Sequence, residues 1–238
     1  MTFFRSLKNE IMLLRGLTYY RVFVKPKSEN EIVERFHRLY YDYRIFGGTW
    51  VKTFWCGVPT EKCPLDLWIY QEIIWEQKPD VIVECGTKYG GSALFMASIL
   101  DLLHNGNVVT IDIDNKPERP KHERIVYLHG SSTSMQIVRS VESLIREDNK
   151  VMVILDSDHT KGHVIEEMRN YSKLVTKGSY LIVEDTNLNG HPVTPNFGPG
   201  PMEAVEEFLR ENTDFIVDED KGRKFLLTFN PKGYLRKI

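Results

Sequence analysis

The chain has no excess of basic charge: 31 Lys and Arg stand against 33 Asp and Glu, a formal net charge of −2 over 238 residues. Without a basic field nothing draws in a polyanion, so nucleic-acid partners are disfavoured. Cysteine is scarce as well. Cys56, Cys63 and Cys85 form no C-x-x-C pair, and a small odd number of thiols suits a reducing compartment better than a disulfide scaffold. The cytoplasm is the expected location. No apolar run reaches the ~18 residues that cross a bilayer, and the basic, apolar start from Met1 to Val24 lacks the long apolar region and small-residue cleavage site of a signal peptide. That start is expected to form a helix covering the core or making a homo-oligomer contact, with peripheral binding to a membrane surface as the alternative. The sequence also lacks G-x-G-x-x-G and G-x-x-x-x-G-K-[ST], which counts against NAD and ATP. Internal repeats and low-complexity tracts are absent.

A composition 42% hydrophobic and 27% charged is that of a globular protein. Ile32, Val33, Phe36, Leu39 and Tyr40 recur at helical spacing, with Ser28 and Glu31 resembling a capping box. Residues 44–64, with Trp50, Phe54 and Trp55 among glycines and prolines, follow no period; a binding lid and an aromatic seal on the domain edge are both open. From Leu65 onward short apolar runs alternate with amphipathic stretches. Strands are expected at Val81–Glu84, Val108–Asp112, Ile125–Leu128, Val151–Leu155 and Tyr180–Val183, and helices at Leu65–Gln77, Ser92–Leu103, Met135–Glu147, Val164–Val175 and Met202–Arg210. This alternation predicts an α/β fold with a doubly wound, mostly parallel sheet. Phe215–Val217 and Phe225–Phe229, joined by the polar turn Asp218–Lys224, should form a closing antiparallel hairpin. The expected organisation is an N-terminal segment, 1–64, and a catalytic domain, 65–238.

Three features carry chemistry. Asp156-Ser157-Asp158-His159 closes one central strand and Glu184-Asp185 closes the next. If those ends lie side by side, carboxylates converge with no basic residue among them, and each pair of charges about 4 Å apart repels by roughly 4 kcal/mol at an effective dielectric of about 20. A hard divalent cation such as Mg²⁺ answers that repulsion. Secondly, the turn Glu84-Cys85-Gly86-Thr87-Lys88-Tyr89-Gly90-Gly91-Ser92 joins a strand to a helix, where open α/β sheets bind nucleotide-type ligands. Glu84, Gly86, Thr87, Tyr89, Gly90 and Ser92 are its candidate contacts. Thirdly, Asp112 ends the next strand, where a carboxylate can accept hydrogen bonds from a ribose diol. Ser131 and Ser132 should lie by the base, with Ser132 equally readable as a helix cap.

These motifs, together with Asp156-x-x-His159, Val183-Glu184-Asp185-Thr186-Asn187, Gly190-His191-Pro192-Val193 and Phe197-Gly198-Pro199-Gly200-Pro201, resemble the cephalosporin hydroxylase and rhamnosyl O-methyltransferase family from about Trp50 to Phe208. The resemblance implies a seven-stranded class I methyltransferase fold that uses S-adenosylmethionine. Its relation to macrolide-sugar O-methyltransferases implies Mg²⁺ on Asp156, Glu184 and Asp185, His159 as general base, Asp156 also near the cofactor, and a small-molecule or saccharide acceptor. A nucleotide-cofactor oxidoreductase or hydroxylase and a non-catalytic cofactor-binding scaffold are the competing readings.

Overall fold

The computed structural model describes residues 29–238 together with Leu14, Arg15 and Thr18. The expectations for the segment from Met1 to Val24 and for the Ser28 cap lie outside these residues. The chain divides into two compact units, Met1–Phe36 and His37–Ile238. Among the described residues no helix is long and apolar enough to cross a membrane.

In chain order the helices are α1 (Glu29–Asp42), α2 (Pro64–Gln77), α3 (Gly91–Leu103), α4 (Met135–Ser143), α5 (Lys161–Tyr171), α6 (Pro201–Glu211) and α7 (Glu219–Arg223). The strands are β1 (Phe54–Trp55), β2 (Val58–Pro59), β3 (Val81–Cys85), β4 (Asn107–Asp112), β5 (Ile125–His129), β6 (Val151–Leu155), β7 (Tyr180–Val183), β8 (Phe215–Val217) and β9 (Tyr234–Lys237). Strands β3 to β9 form one seven-stranded sheet in the order β5-β4-β3-β6-β7-β9-β8. The first five of that order pair in parallel, and β9 runs antiparallel to both β7 and β8. This is the doubly wound sheet expected from sequence.

The central strands are apolar at nearly every position because both faces are covered. Val83, Val153 and Leu155 face Val164, Met168, Val205 and Phe208 of α5 and α6. Ile82, Met152 and Ile154, one residue out of phase, face Ile73, Ile74, Met96 and Leu100 of α2 and α3.

Two expectations are corrected. Phe225–Phe229 is not a strand; the last antiparallel strand is β9, nine residues further on (234 − 225). The 225–229 backbone serves another partner: Phe229 N–H donates to the buried Asp66 carboxylate at 2.8 Å, and the Thr228 hydroxyl donates to the same group. Leu226 is left-handed at φ +66°, which a ladder does not accommodate. The intervening 219–223 segment forms the short helix α7, its N-terminus capped by Asp218.

Residues 44–64 pack rather than hang free. β1 and β2 form a small hairpin, with Trp55 set edge-on to Phe95 at 4.8 Å and its indole N–H donating to Ser98 at 3.0 Å. Trp50 and Tyr41 both pack against Phe229. A side chain on Gly91, at the start of α3, would meet the Pro59 carbonyl at 2.3 Å. The hairpin is thereby seated on the sheet's helical layer.

Candidate functional site

The strand order reverses between β3 and β6, so a crevice opens above their carboxyl ends. The pairings Cys85↔Leu155 and Leu155↔Val183 bring Gly86, Asp156 and Glu184 level with one another. Backbone bonds close the joint: Asp156 N–H donates to the Cys85 carbonyl at 2.8 Å, and Glu184 N–H to that of Leu155 at 3.0 Å. Gly86 is required here by proximity, since a Cβ at its φ of +101° would lie 1.8 Å from the Asp156 carbonyl oxygen.

Asp156, His159 and Asp185 each present a ligand atom within 4.8 Å of the others, a set able to hold a metal ion. His159 lies between the carboxylates, Nδ1 at 3.0 Å from Asp185 and Nε2 at 3.5 Å from Asp156. Burial pulls its pKa down, but Asp185 and Asp156 outweigh burial and hold it well above the ordinary histidine value. Asp158 stands apart from this set; its carboxylate accepts from Thr160 N–H at 2.7 Å in the turn that leads into α5, whose N-cap residue is Thr160.

The expectation of a crevice without a basic residue is overturned. Lys62, from the segment just ahead of α2, reaches in with a side chain only 4% exposed, pairs with Asp156, and lies 2.6 Å from Glu184. Burial of that ammonium opposes its charge, yet Asp156, Glu184 and Glu84 together raise its pKa. Asp156 is held below the usual carboxylate range: burial works against this, and Lys62 and His159 prevail. Glu184 is pushed up to about 8, by burial first and then by the Asp156 charge, with Lys62 only partly compensating. One cation serving two carboxylates leaves Glu184 with the deficit.

Beside this cluster lies a cavity of about 610 Å³. Of the expected cofactor contacts, Gly86, Asp112, Ser131, Ser132 and Asp156 line it. Asp112 is fixed by the N–H groups of Lys88 at 2.6 Å and Asp114 at 2.8 Å, with Arg119 at 3.1 Å. Ser132 does not cap α4, whose N-cap residue is Ser134; its hydroxyl lies 3.1 Å from His163 Nε2. The other expected contacts point elsewhere. Glu84 is fully buried and accepts from the Ser92 hydroxyl at 2.5 Å and the Thr110 hydroxyl at 2.6 Å. The Thr87 hydroxyl pairs with that of Thr110 at 2.6 Å. Gly90, at φ +81°, is the N-cap of α3. Tyr89 borders a second cavity with Lys116, Arg119, Val58 and Pro59.

Sequence reasoning missed Lys62 and His163. No periodicity singles out Lys62, which sits in an aperiodic loop; only the need for a cation in the crevice pointed towards such a residue. His163 is legible only as a helical residue four after His159.

The model of the family described as rhamnosyl O-methyltransferase/CmcI matches residues 48–238. A rhamnosyl O-methyltransferase of Mycobacterium tuberculosis is 38% identical over 221 residues, covering 90% of this chain and 88% of that protein. The protein of the same description from Mycobacterium leprae is 39% identical over 216 residues, covering 88% and 92% respectively. An apo structure of CmcI superposes with a TM-score of 0.61 at 20% identity, over 79% of this chain and 77% of that one. An O-methyltransferase from Bacillus cereus in complex with SAH superposes with a TM-score of 0.52 at 16% identity, over 84% and 86%. Both structures share this fold.

Proposed function

From the chain's membership of the rhamnosyl O-methyltransferase/CmcI family, we propose that it moves a methyl group from S-adenosylmethionine to a hydroxyl of a sugar or related polyhydroxylated acceptor, assisted by Mg²⁺ and His159. The observation that carries the reading is the convergence of Asp156, His159 and Asp185, with Asp156 also lining the cavity. The donor chemistry fits the metal, because two carboxylates at strand ends offer the hard oxygens that Mg²⁺ prefers. Asp156 and Asp185 are the residues that would hold it, and Glu184 joins them to the extent that Lys62 releases it. The bound ion would supply Lewis-acid polarisation of the acceptor hydroxyl.

The remaining work falls to the chain's own groups. Asp112, held by two backbone N–H groups, keeps lone pairs for a ribose diol. Ser131 and Ser132 line the same cavity. Asp185 engages His159 through Nδ1; an ion held by Asp156 and Asp185 would offset the charge that raises the imidazole's pKa and free Nε2, now 3.5 Å from Asp156, to take the proton of the attacking hydroxyl. S-adenosylmethionine, when bound, would supply the electrophilic sulfonium methyl, with S-adenosylhomocysteine as the leaving group, and the chain's own part is positioning, which supplies much of the rate.

The test is transfer of labelled methyl from S-adenosylmethionine to rhamnosyl and other deoxyhexosyl acceptors, with and without a chelator. Transfer that stops on chelation, and a loss of about 10²–10⁴ in kcat for His159→Ala, are expected. Full activity of that variant would remove His159 from the mechanism, and chelator-resistant transfer would remove the metal.

A further inference from the structure

We propose that Lys62 is a positioning residue of the transfer site, an internal cation that offsets part of the Asp156 and Glu184 charge and sets how strongly the cluster holds a divalent ion. This rests on the metal reading given above. Three observations support it. The Lys62 side chain is 4% exposed and meets carboxylates from the ends of two adjacent strands, 94 and 122 residues away in sequence. A buried ammonium bridging two strand ends fixes both carboxyl groups at once, which a surface lysine cannot do.

Secondly, its backbone is held before the side chain acts. Lys62 N–H donates to the Thr53 hydroxyl at 3.0 Å, and that hydroxyl donates to the Trp50 carbonyl at 2.8 Å. Thr60 N–H donates to the Thr53 carbonyl at 2.9 Å, and Pro64 starts α2 two residues after Lys62. The 49–63 segment therefore delivers the ammonium from a fixed platform.

Thirdly, the ammonium stands against the oxygens a divalent ion would use. It pairs with Asp156 and lies 2.6 Å from Glu184, so an ion held by these carboxylates binds against a positive charge already in contact with two of them. Without the ammonium, more negative charge is left around the ion and beside the hydroxyl that must lose its proton, which should tighten metal binding while slowing transfer. A lysine that merely fills and braces the fold makes the opposite prediction, since its loss would loosen the ligands and weaken the metal.

The experiment is titration of Lys62→Met, Lys62→Gln and Lys62→Arg with Mn²⁺, read by the loss of the free-ion paramagnetic resonance signal, beside the thermal midpoint and steady-state kinetics. Lys62→Met and Lys62→Gln should bind Mn²⁺ at least about fivefold more tightly than wild type and lose kcat, with KM for S-adenosylmethionine changed far less. Lys62→Arg should stay near the wild-type metal affinity and recover part of kcat. Unchanged or weaker Mn²⁺ binding in a folded Lys62→Met or Lys62→Gln protein overturns the proposal, as does failure of both to fold while Lys62→Arg folds but binds metal abnormally. Should both neutral variants fail to fold, normal binding and partial kcat in Lys62→Arg support it. A wild-type protein that takes up no Mn²⁺ would refute the metal reading itself, and this proposal with it.

Discussion

Replacing Gly86 by alanine perturbs the joint on which the whole site is built. The added Cβ would lie 1.8 Å from the Asp156 carbonyl oxygen and 3.0 Å from the Ser157 nitrogen, at a φ of +101°. Since carbon contacts below 3.0 Å are not sustained, the β3 and β6 ends must part by about 1.2 Å (3.0 − 1.8). The parting strains the Asp156 N–H bond to Cys85 and the Gly86 N–H bond to Ile111, now 2.8 and 2.9 Å. Left-handed backbone costs a non-glycine residue about 1–2 kcal/mol, and losing one of those bonds about 0.5–1.5 kcal/mol. The sum is about 1.5–3.5 kcal/mol, or about 3–14 °C in thermal midpoint for a chain of this size. Calorimetry reads the loss, and kinetics should show a fall of about 10²-fold in kcat, because a displacement of about 1 Å is enough to spoil alignment at a reacting centre. Gly162, with nothing within 4 Å of an added Cβ, is the control; alanine there should be neutral or stabilising by about 0.5 kcal/mol. A Gly86→Ala protein that melts within about 2 °C of wild type and turns over normally would refute the close-approach argument.

Other outcomes follow from groups outside the carboxylate cluster. His37 is buried and stacked on Phe229, and burial lowers its pKa to about 4 against a partial pull upward by Asp185. The unfolded histidine binds its proton first as pH falls, so this contribution is complete above about pH 6.5 and declines towards pH 4, by at most about 3 kcal/mol. His37→Gln should flatten the thermal-midpoint curve in that window relative to wild type, and parallel curves would sink the assignment. Glu203 ties the 189–200 loop to the start of α6, accepting from Gly200 N–H at 2.7 Å and the Asn189 amide at 2.9 Å, with His191 at 3.0 Å. Burial opposes its ionisation, but these bonds hold its pKa down at about 2, so the loop's anchoring is complete above about pH 4.5 and fades as pH falls towards 2. Glu203→Ala should speed limited proteolysis within 189–200 at neutral pH, and unchanged cleavage there would show that the carboxylate does not secure the loop.

Strands β3 to β7 were legible because burial on both faces turns them into short, continuous apolar runs, a signal that survives without knowledge of neighbours. The last strand was not. Phe225-Leu226-Leu227-Thr228-Phe229 has the composition of a strand, yet its polar backbone is claimed by Asp66, a residue 163 positions from Phe229 in sequence. The convergence of Asp156, His159 and Asp185 could be read from the sequence because they lie one, four and two residues past a strand end (156 − 155, 159 − 155, 185 − 183), and strand ends are where such sheets place function. Lys62 could not, since its place is set by a hairpin seated on α3. The glycine turn was half legible: Gly86 lines the cavity, while Glu84, Thr87 and Ser92 turn inward to one another, a choice of direction made by Thr110 on the neighbouring strand.

Asp66 shows how the site's strain is carried. Asp185 adopts a left-handed φ of +55°, a conformation that costs a residue with a side chain unless its surroundings impose it. They do so through a chain of buried polar groups. Asp185 N–H donates to Asn230 Oδ1 at 3.1 Å, and Asn230 N–H donates to the Thr228 hydroxyl at 2.9 Å. Thr228 and the Tyr234 hydroxyl both donate to Asp66 Oδ1, the latter at 2.7 Å. Asp66 stands one helical turn after Lys62, at the start of α2. The same short stretch thus touches Asp156 and Glu184 from within the crevice through Lys62, and braces Asp185 from behind through Asp66. A shift of the α2 start would therefore reach all three carboxylates together, which makes this helix terminus, more than any single strand end, the element that sets the geometry of the cluster.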